Sequence, residues 1–449
     1  MRHLDLRLGR TRFLLVDPQA TPDGRPTGYG NLIRHIEQTI RCGAALRASV
    51  FFIKPGHPIN PALYELESVD VRIVGQSDWR APLLRLLWRV STPLRYGRPL
   101  EWGGSTAAAY ARPAVEWAKH ASRRRVWRAL DRWLDRLGHR CRRVSNSYER
   151  HVVRAWAGVF TEARERVRAT GSKKRRVRVR LRPDTERETE KLAADVGLDP
   201  GRPIVTLHVR EGRYRTRVAA RQREFDTIRE ANIDTYQSAV GWLTARGYQV
   251  VRLGDPTMTP CRWPGVIDAA TAPWRTGAFE LWSLFHSRFF IASDSGPYFL
   301  SKLCGVPCVS VNVIQLGYYI VGRRDRYICK HVHDRSTGRA LSISEMLTEE
   351  FLATALDRRR YDWIDNSSSD ILEAVEDMIA LLDHPKMERT PSQRRHDELL
   401  AHITAHRPAG PRKTGSLLFR QLAGGTISPR FAARYLDSAG PFALNRRSV

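Results

Sequence analysis

Short apolar runs alternate with amphipathic segments in two separate parts of the chain. In the first part, residues 12–16, 50–53 and 69–74 are segments of strand length that are rich in apolar residues. Residues 32–46 between the first two carry apolar side chains at helical spacing, and a shorter helix is expected over 63–67. Strands separated by helices predict parallel pairing, because a parallel connection needs a crossover.

A second array of the same kind begins at Pro203. Five apolar runs predict strands, at residues 204–207, 248–253, 266–268, 289–292 and 306–311. Asp234 is a candidate N-cap for a helix reaching Gly247, and a second helix is expected over 279–285. Alternating strands and helices of this kind predict an α/β fold with a parallel sheet in this part.

The segment around Asp294 has the most informative pattern. A strand ends there in the turn Ser293, Asp294, Ser295 and Gly296. Pro297 then suits the start of a short helix, and Gly305 suits its end. Backbone N–H groups at such a turn favour an anion, so this segment predicts a phosphate site.

Two further strand ends carry candidate ligands. The strand at 204–207 is followed by His208, Val209, Arg210 and Glu211, and ligands of open α/β sheets bind outside the carboxyl ends of strands. Arg210 is the expected phosphate ligand, and His208 is a candidate for orienting the site. Two alternatives stay open for Arg215: support for Arg210, or a solvated loop charge. Gly254 and Asp255 end the next strand, where a glycine lets backbone approach a nucleotide closely.

These motifs resemble those of GT-B glycosyltransferases. Asp294, Ser295 and Gly296, followed by Gly305, Pro307 and Val309, resemble the donor-binding signature of heptosyltransferase-type enzymes, although the histidine usual near position 298 or 299 is missing. The resemblance implies that this segment holds the diphosphate of a nucleotide sugar. His208-Val209-Arg210 resembles the H-x-R motif of fucosyltransferase-like enzymes, which implies that Arg210 binds the donor phosphate.

A longer series is similar to a group of bacterial glycosyltransferases from surface-polysaccharide loci. Its residues are His208, Arg210, Asn232, Ile233, Tyr236, Gly247, Val251, Arg252, Gly254 and Asp255. Together with the phosphate turn, the resemblance covers residues 202–312.

The N-terminal glycine segment resembles the acceptor-side loop of the same enzymes. It contains Gly28, Gly30 and Asn31, and the aspartate that is the candidate base in heptosyltransferase-type enzymes is replaced by Asn31, which cannot accept a proton. Three other candidates for the catalytic base are Asp23, His35 and Glu211. For His35 a solvent-facing helix position is the alternative. Glu211 is also suited to orienting Arg210.

The charge of the chain points to polyanionic partners. The net charge is +28 over 449 residues, which favours nucleic acid, an anionic membrane leaflet, or phosphorylated or acidic-sugar substrates. Residues 79–170 contain basic amphipathic segments with Leu and Trp. Two alternatives stay open for them: helices on an anionic membrane surface, or helices packed on the N-terminal domain with snorkelling arginines.

Residues 172–182 alternate arginine with Val and Leu. This pattern predicts an extended interdomain link with one cationic face. A nucleic-acid-binding arm is the alternative, although aromatic residues for base stacking are missing there.

Cysteine usage and hydropathy restrict location and metal chemistry. The six cysteines have no metal-binding spacing and are expected to be buried thiols of a reducing compartment. The N-terminus lacks a signal-peptide pattern, and no apolar run reaches 18 residues. A cytoplasmic protein is expected, either soluble or peripheral on the inner face of the cytoplasmic membrane.

The sequence thus predicts an α/β, GT-B-like protein of two Rossmann-type domains with a cleft between them. Residues 1–182 form the acceptor-side domain with a basic helical insertion at 79–170, residues 183–383 bind the nucleotide sugar, and residues 384–449 form a partly disordered basic tail. The expected activity is metal-independent and cofactor-free transfer of a sugar from a nucleotide-sugar donor to a polysaccharide, glycolipid or other cell-surface glycan. The alternatives are a nucleic-acid-binding protein and a catalytically silent GT-B scaffold.

Overall fold

The structure is a computed structural model that divides into two compact units, Met1–Arg182 and Pro183–Val449. It describes residues 2–8, 11–18, 29–56, 58–96, 178–211, 227–314, 322, 324–405 and 426–438. Parallel strands joined by helices occur in both units, so the predicted α/β class is confirmed.

The first unit is built on a three-stranded sheet in the order β1-β2-β3. Its strands are β1 (Arg2–Leu8), β2 (Thr11–Asp17) and β3 (Ser49–Phe52). The helix α1 (Tyr29–Leu46) connects the parallel pair β2 and β3, as predicted. The hairpin partner β1 was not predicted, and it pairs antiparallel with β2.

Two local predictions for this unit need correction. The run at 69–74 forms only an isolated parallel bridge, between Val50 and Ile73, in place of a full strand. A 3-10 turn at Pro61–Tyr64 replaces the helix expected over 63–67. Asn60 caps this turn through its side chain, which accepts from the N–H of Ala62, so the cap and Pro61 favour a tight turn.

The helix α2 (Ala81–Tyr96) closes the core of the first unit. Its buried residues Leu84 and Trp88 pack with Phe13, Leu15 and Phe51. This part of the basic insertion therefore packs on the first unit, which agrees with the alternative of helices packed on the N-terminal domain. Residues 97–177, the remainder of the insertion and most of the predicted link, lie outside the described residues.

The end of the arginine-rich link is part of the first unit. The short strands β4 (Glu67–Ser68) and β5 (Val179–Arg180) pair antiparallel. Arg180 forms an ion pair with Glu67 at 2.9 Å, and Arg182 donates to the backbone oxygen of Glu65 at 3.1 Å. Since Arg178 also approaches Asp70, at 3.7 Å, these arginines have acidic or carbonyl partners in their own unit.

The second unit contains a larger sheet. Its strands in chain order are β6 (Ile204–His208), β7 (Gln249–Arg252), β8 (Val266–Asp268), β9 (Ser287–Ser293), β10 (Cys308–Val313), β11 (Arg326–Cys329), β12 (His331–Asp334), β13 (Arg339–Leu341), β14 (Tyr361–Ile364) and β15 (Thr426–Ile427). Seven of them form the order β15-β11-β10-β9-β6-β7-β8, with every neighbouring pair parallel. The antiparallel sheet β13-β12-β14 is separate.

The helices of this unit are α3 (Pro183–Asp195), α4 (Gln237–Ala245), α5 (Gly277–Phe285), α6 (Tyr298–Cys304), α7 (Ile343–Met346), α8 (Glu349–Thr354), α9 (Ser368–Asp383), α10 (Pro391–Ala405) and α11 (Pro429–Tyr435). Gly305 ends α6 in the left-handed region with φ of 77°, which confirms its predicted role as a stop. Asn232, and not Asp234, is the cap near α4, because its side chain accepts from the N–H of Asp234 within a 3-10 turn.

The strand order reverses at the middle of the large sheet. From β6 the chain adds β7 and β8 on one side, and then returns to add β9, β10 and β11 on the other side. The reversal therefore lies between β6 and β9. In open parallel sheets the carboxyl ends of strands at such a reversal form the usual ligand-binding crevice.

The prediction of a partly disordered tail from residue 384 is wrong for residues 391–405 and 426–438. Residues 426–427 join the large sheet as β15, parallel to β11, and Leu400, Ile403 and Phe431 are buried. Arg430 forms an ion pair with Asp377 of α9 at 2.7 Å. The basic composition concealed these elements because their arginines are neutralised by carboxylates of the same unit.

Candidate functional site

Two segments that were predicted independently to bind phosphate meet at the reversal of the sheet. The strands β6 and β9 are neighbours, with His208 opposite Ala292. Just beyond this pair, the backbone N–H of Arg210 donates to Oγ of Ser293 at 2.7 Å. The segment with Arg210 and the turn at 293–296 therefore share one edge of the sheet, which we call the switch-point site.

Arg210 is half-buried at the start of this site. Its backbone is held on both sides, because its oxygen also accepts from the N–H of Ala231 at 3.0 Å. A fixed backbone limits where the guanidinium can reach, which is suited to binding an anion at one place. Arg215, expected to support it, lies outside the described residues.

Asp294 shapes the turn through contacts within the protein. Its carboxylate is fully buried and accepts from Nε of Arg229 at 2.9 Å and from the N–H of Ile314 at 3.1 Å. Arg229 also donates to the backbone oxygen of Asp294 at 3.1 Å. No motif marked Arg229, because its connection to the turn spans 65 residues of sequence.

Ser295 offers an unused polar group at the same edge. It is 3% exposed, and its Oγ has no hydrogen-bond partner among the described residues. A buried hydroxyl without a partner costs about 1–3 kcal/mol, so the group favours a ligand. Gly296 follows it half-buried, and α6 begins two residues later.

His208 is buried and links the ends of two strands by a hydrogen bond. Its Nδ1 lies 3.0 Å from the backbone oxygen of Leu253. Burial lowers the pKa of His208 to about 4, against the opposing effect of this hydrogen bond. The imidazole is therefore neutral near pH 7, with the proton on Nδ1 because a carbonyl can only accept. It positions the strand ends of β6 and β7.

Glu211 is paired with a different arginine from the one expected. Arg252 is fully buried and donates to Oε1 of Glu211 at 2.7 Å and to the carboxylate of Asp268 at 3.2 Å. The other oxygen of Glu211 accepts from the N–H of Thr259 at 2.8 Å. A buried guanidinium needs neutralising partners, so Glu211 orients Arg252 and not Arg210.

Gly254 and Asp255 form the turn after β7. A Cβ on Gly254 would clash with Sδ of Met258, so the missing side chain makes room for Met258. Oδ1 of Asp255 accepts from the N–H and the hydroxyl of Thr257, at 2.9 and 2.5 Å. Both residues therefore have local structural partners, in addition to the donor-binding role predicted for them.

The acceptor-side candidates belong to the first unit. The helix α1 starts at Tyr29, so Gly30 and Asn31 lie in its first turn and not in a preceding loop. Asp23 and Gly28 lie outside the described residues.

His35, in α1, has a neutral imidazole with a defined tautomer. Nδ1 of His35 lies 2.9 Å from the backbone oxygen of Pro18. Burial lowers the pKa of His35 to about 4, opposed by this hydrogen bond. Since Nδ1 carries the proton, Nε2 carries the lone pair, which is the atom that a general base needs.

One group of side chains in the described part of the chain has the spacing of a metal site. Ligand atoms of Glu186, Glu190 and His286 all lie within 4.8 Å of one another. His286 directly precedes β9, so this group lies at the amino end of the sheet, opposite the switch-point site. It therefore does not contribute to that site.

None of the described helices combines the length and the apolar character that crossing a bilayer requires.

No protein-family model matches the chain, and no curated protein matches it. Among solved structures, the glycosyl transferase family 9 protein from Veillonella parvula is similar, with 14% identity over 50% of this chain and 59% of that one and a TM-score of 0.35. ADP-heptose LPS heptosyltransferase II from E. coli has 13% identity over 47% and 54%, with a TM-score of 0.29. E. coli heptosyltransferase WaaC has 10% identity over 70% and 92%, also with a TM-score of 0.29. The chain spans between half and three fifths of the length of the first two proteins.

Proposed function

We propose that this protein is a glycosyltransferase that moves a sugar from a nucleotide-sugar donor to a glycan or lipid-linked acceptor. The observation that carries the proposal is the meeting of Arg210 with the turn at 293–296 at the reversal of a parallel sheet. Both segments resemble donor-binding motifs of GT-B enzymes, and they come together at the edge where such sheets bind ligands.

The donor half of the reaction needs charge stabilisation on the leaving diphosphate. Arg210 supplies the positive charge, and the hydroxyl of Ser295 supplies a hydrogen bond that no described residue takes up. Asp294 contributes indirectly, because its carboxylate is engaged by Arg229 and fixes the turn. With a guanidinium and neutral donors in these roles, we expect transfer to need no metal ion.

The acceptor half needs a base for the attacking hydroxyl. Among the candidates we place His35 first, because Nδ1 is held by the backbone oxygen of Pro18, which leaves the lone pair of Nε2 to accept a proton. Glu211 is less suited, since both of its carboxylate oxygens already accept hydrogen bonds, from Arg252 and Thr259. Asp23 stays a candidate for the catalytic base on the basis of the sequence. We propose a cytoplasmic site of action, where nucleotide sugars are available.

A binding screen tests the donor site. We would measure the melting temperature of the wild type, Arg210→Ala and Arg246→Ala with the UDP, GDP, CDP, ADP and dTDP series and their sugars. ADP-heptose is included because it is named for a solved structure with some similarity. A ligand that binds only the folded protein must raise its melting temperature.

Arg246→Ala is the matched control, because this exposed arginine stacks on Trp242 at the end of α4, beside the amino end of β7. We expect one nucleotide series to stabilise the wild type and Arg246→Ala, and to stabilise Arg210→Ala much less. No shift with any donor would overturn the proposal.

A turnover assay separates an enzyme from a silent scaffold. We would measure release of the nucleoside diphosphate with glycan and lipid-linked acceptors, with and without EDTA. Turnover that EDTA leaves unchanged is expected for metal-independent transfer. A donor that binds and is never cleaved would point to the scaffold alternative, and His35→Ala turnover equal to the wild type would remove His35 as the base.

A further inference from the structure

The helix α2 presents apolar residues on two opposite sides. Its inner side, with Leu84 and Trp88, is buried in the core of the first unit. On the opposite side lie Leu83, which is 46% exposed, and Leu86, which is 57% exposed, three residues apart on one face of the helix. Trp79, which is 75% exposed, lies in the turn just before the helix. We call these three residues the outer stripe.

The outer stripe is unusual within the described part of the chain. The described residues include six large apolar side chains that are exposed: Ile59, Val69, Trp79, Leu83, Leu86 and Met387. Half of them belong to this one stripe. Single exposed apolar residues are normal, whereas two on one helix face with a third in the preceding turn indicate a surface that is covered in use.

The stripe begins the most basic part of the sequence. Residues 79–182 contain 28 of the 75 Lys and Arg residues and 7 of the 47 Asp and Glu residues, so 28 minus 7 gives a net charge of +21 out of +28. At the stripe itself, the guanidinium of Arg80 lies 4.3 Å from the centre of the Trp79 ring. Leucines and an exposed tryptophan beside arginines are typical of helices that lie in the interface of an anionic bilayer.

We propose that the outer stripe docks on an anionic lipid bilayer, with Trp79, Leu83 and Leu86 in the headgroup region and the excess positive charge of residues 79–182 attracting the anionic lipid. A nucleic acid would satisfy the charge, but phosphate contacts leave two leucines exposed, and so the lipid surface fits both observations. No residue of the stripe belongs to the switch-point site. The proposal therefore stands independently of the activity.

Vesicle flotation with the full chain tests it. We would compare vesicles of phosphatidylglycerol and phosphatidylcholine in equal parts with vesicles of phosphatidylcholine alone. The wild type should bind the anionic vesicles and bind the neutral ones at least about tenfold less. Leu83→Glu with Leu86→Glu should weaken binding by about tenfold or more, because two apolar side chains are lost and two negative charges are added.

Two controls keep the result interpretable. Met387→Glu changes an exposed apolar residue of the second unit, 50% exposed, and should bind like the wild type. Leu83→Gln with Leu86→Gln removes the apolar surface without adding charge, and should still bind more weakly. Each variant should keep the melting temperature of the wild type, since both leucines point away from the core.

Equal binding of the wild type and both double variants would overturn the proposal. Equal binding to the two kinds of vesicle would overturn it as well. Displacement of the bound protein by duplex DNA, together with insensitivity to the leucine changes, would show a general affinity for polyanions and no lipid docking. The nucleotide screen contains no vesicles. A failure of donor binding in that screen is therefore distinguishable from a failure of lipid binding in the flotation experiment.

Discussion

The backbone N–H of Arg210 donates to Oγ of Ser293 over 2.7 Å, although 83 residues of sequence separate them. This bond joins the carboxyl ends of β6 and β9 at the place where the strand order reverses. It makes one site out of two short motifs, each of which by itself predicts a phosphate ligand at the end of a different strand.

We expect Ser293→Ala to weaken both stability and donor binding. The change leaves the N–H of the half-buried Arg210 without its acceptor, which costs about 1–3 kcal/mol of unfolding free energy. Chemical denaturation measures the loss, and calorimetry with the nucleotide from the screen measures the binding. Ser283→Ala is the control, because that buried hydroxyl donates to the backbone oxygen of Phe279 within α5 and removing it leaves no N–H unsatisfied. Equal losses in the two variants would contradict the role of Ser293.

Asp294 and Arg229 should be energetically coupled. Asp294→Asn removes a buried charge that Arg229 faces, and we expect about 3 kcal/mol of destabilisation. The double variant, Asp294→Asn with Arg229→Met, should lose less unfolding free energy than the two single variants lose together. We expect the difference, which is the coupling energy of the pair, to be about 1–3 kcal/mol.

The exposed pair Arg187 and Asp184 provides a matched cycle. These side chains are 69% and 85% exposed, and we expect their coupling to stay below about 0.5 kcal/mol. A coupling for Asp294 and Arg229 as small as that of the exposed pair would mean that their contact does not hold the turn.

Glu211→Gln distinguishes a structural role from a catalytic one. Because Glu211 neutralises the buried Arg252, the change should lower the unfolding free energy by about 1–3 kcal/mol and reduce kcat only in proportion to the folded fraction. Glu188→Gln, at an exposed position of α3, should alter neither quantity. A fully stable Glu211→Gln protein with no turnover would make Glu211 the base.

Acidification should destabilise the fold through its buried histidines. The folded-state pKa of His208 is about 4, below its ordinary value of 6.5, so the unfolded chain binds the proton more tightly. Stability is therefore unaffected above pH 6.5 and falls as the pH drops towards 4. Between pH 7 and pH 5 we expect a loss of about 2 kcal/mol from this residue.

His208→Asn isolates that contribution. An asparagine amide can donate to the backbone oxygen of Leu253 as Nδ1 does, but it does not titrate. Denaturation curves at pH 7 and pH 5 should show a smaller difference for the variant than for the wild type. An unchanged pH difference would mean that His208 is not neutral in the folded protein.

Local pattern predicted the central elements of the second unit well. The strands from β6 to β10 follow apolar, β-branched runs. These features depend on residues within a few positions of one another, so periodicity and turn chemistry suffice to find them. The same is true of Gly305, whose positive φ needs no distant partner.

The tail shows where local pattern failed. Residues 426–427 join the sheet as its edge strand, although they are too short for any strand signal. Arg430 and Arg434 of α11 pair with acidic residues of α9, which lies more than fifty residues earlier. The amino-acid composition shows that this segment is basic, but it contains no information about which carboxylates pair with these arginines.

The sequence by itself determined the α/β class, the positions of strands β2, β3 and β6 to β10 along the chain, and the residue types available at their ends. Only the tertiary structure decided which strands are neighbours, and with that which side chains meet. Arg229 reaches Asp294 across 65 residues, and Arg252 reaches Glu211 across 41. The physical reason is that helices and strands form from local spacing, whereas a buried charge takes its partner from whichever element the folded sheet brings beside it.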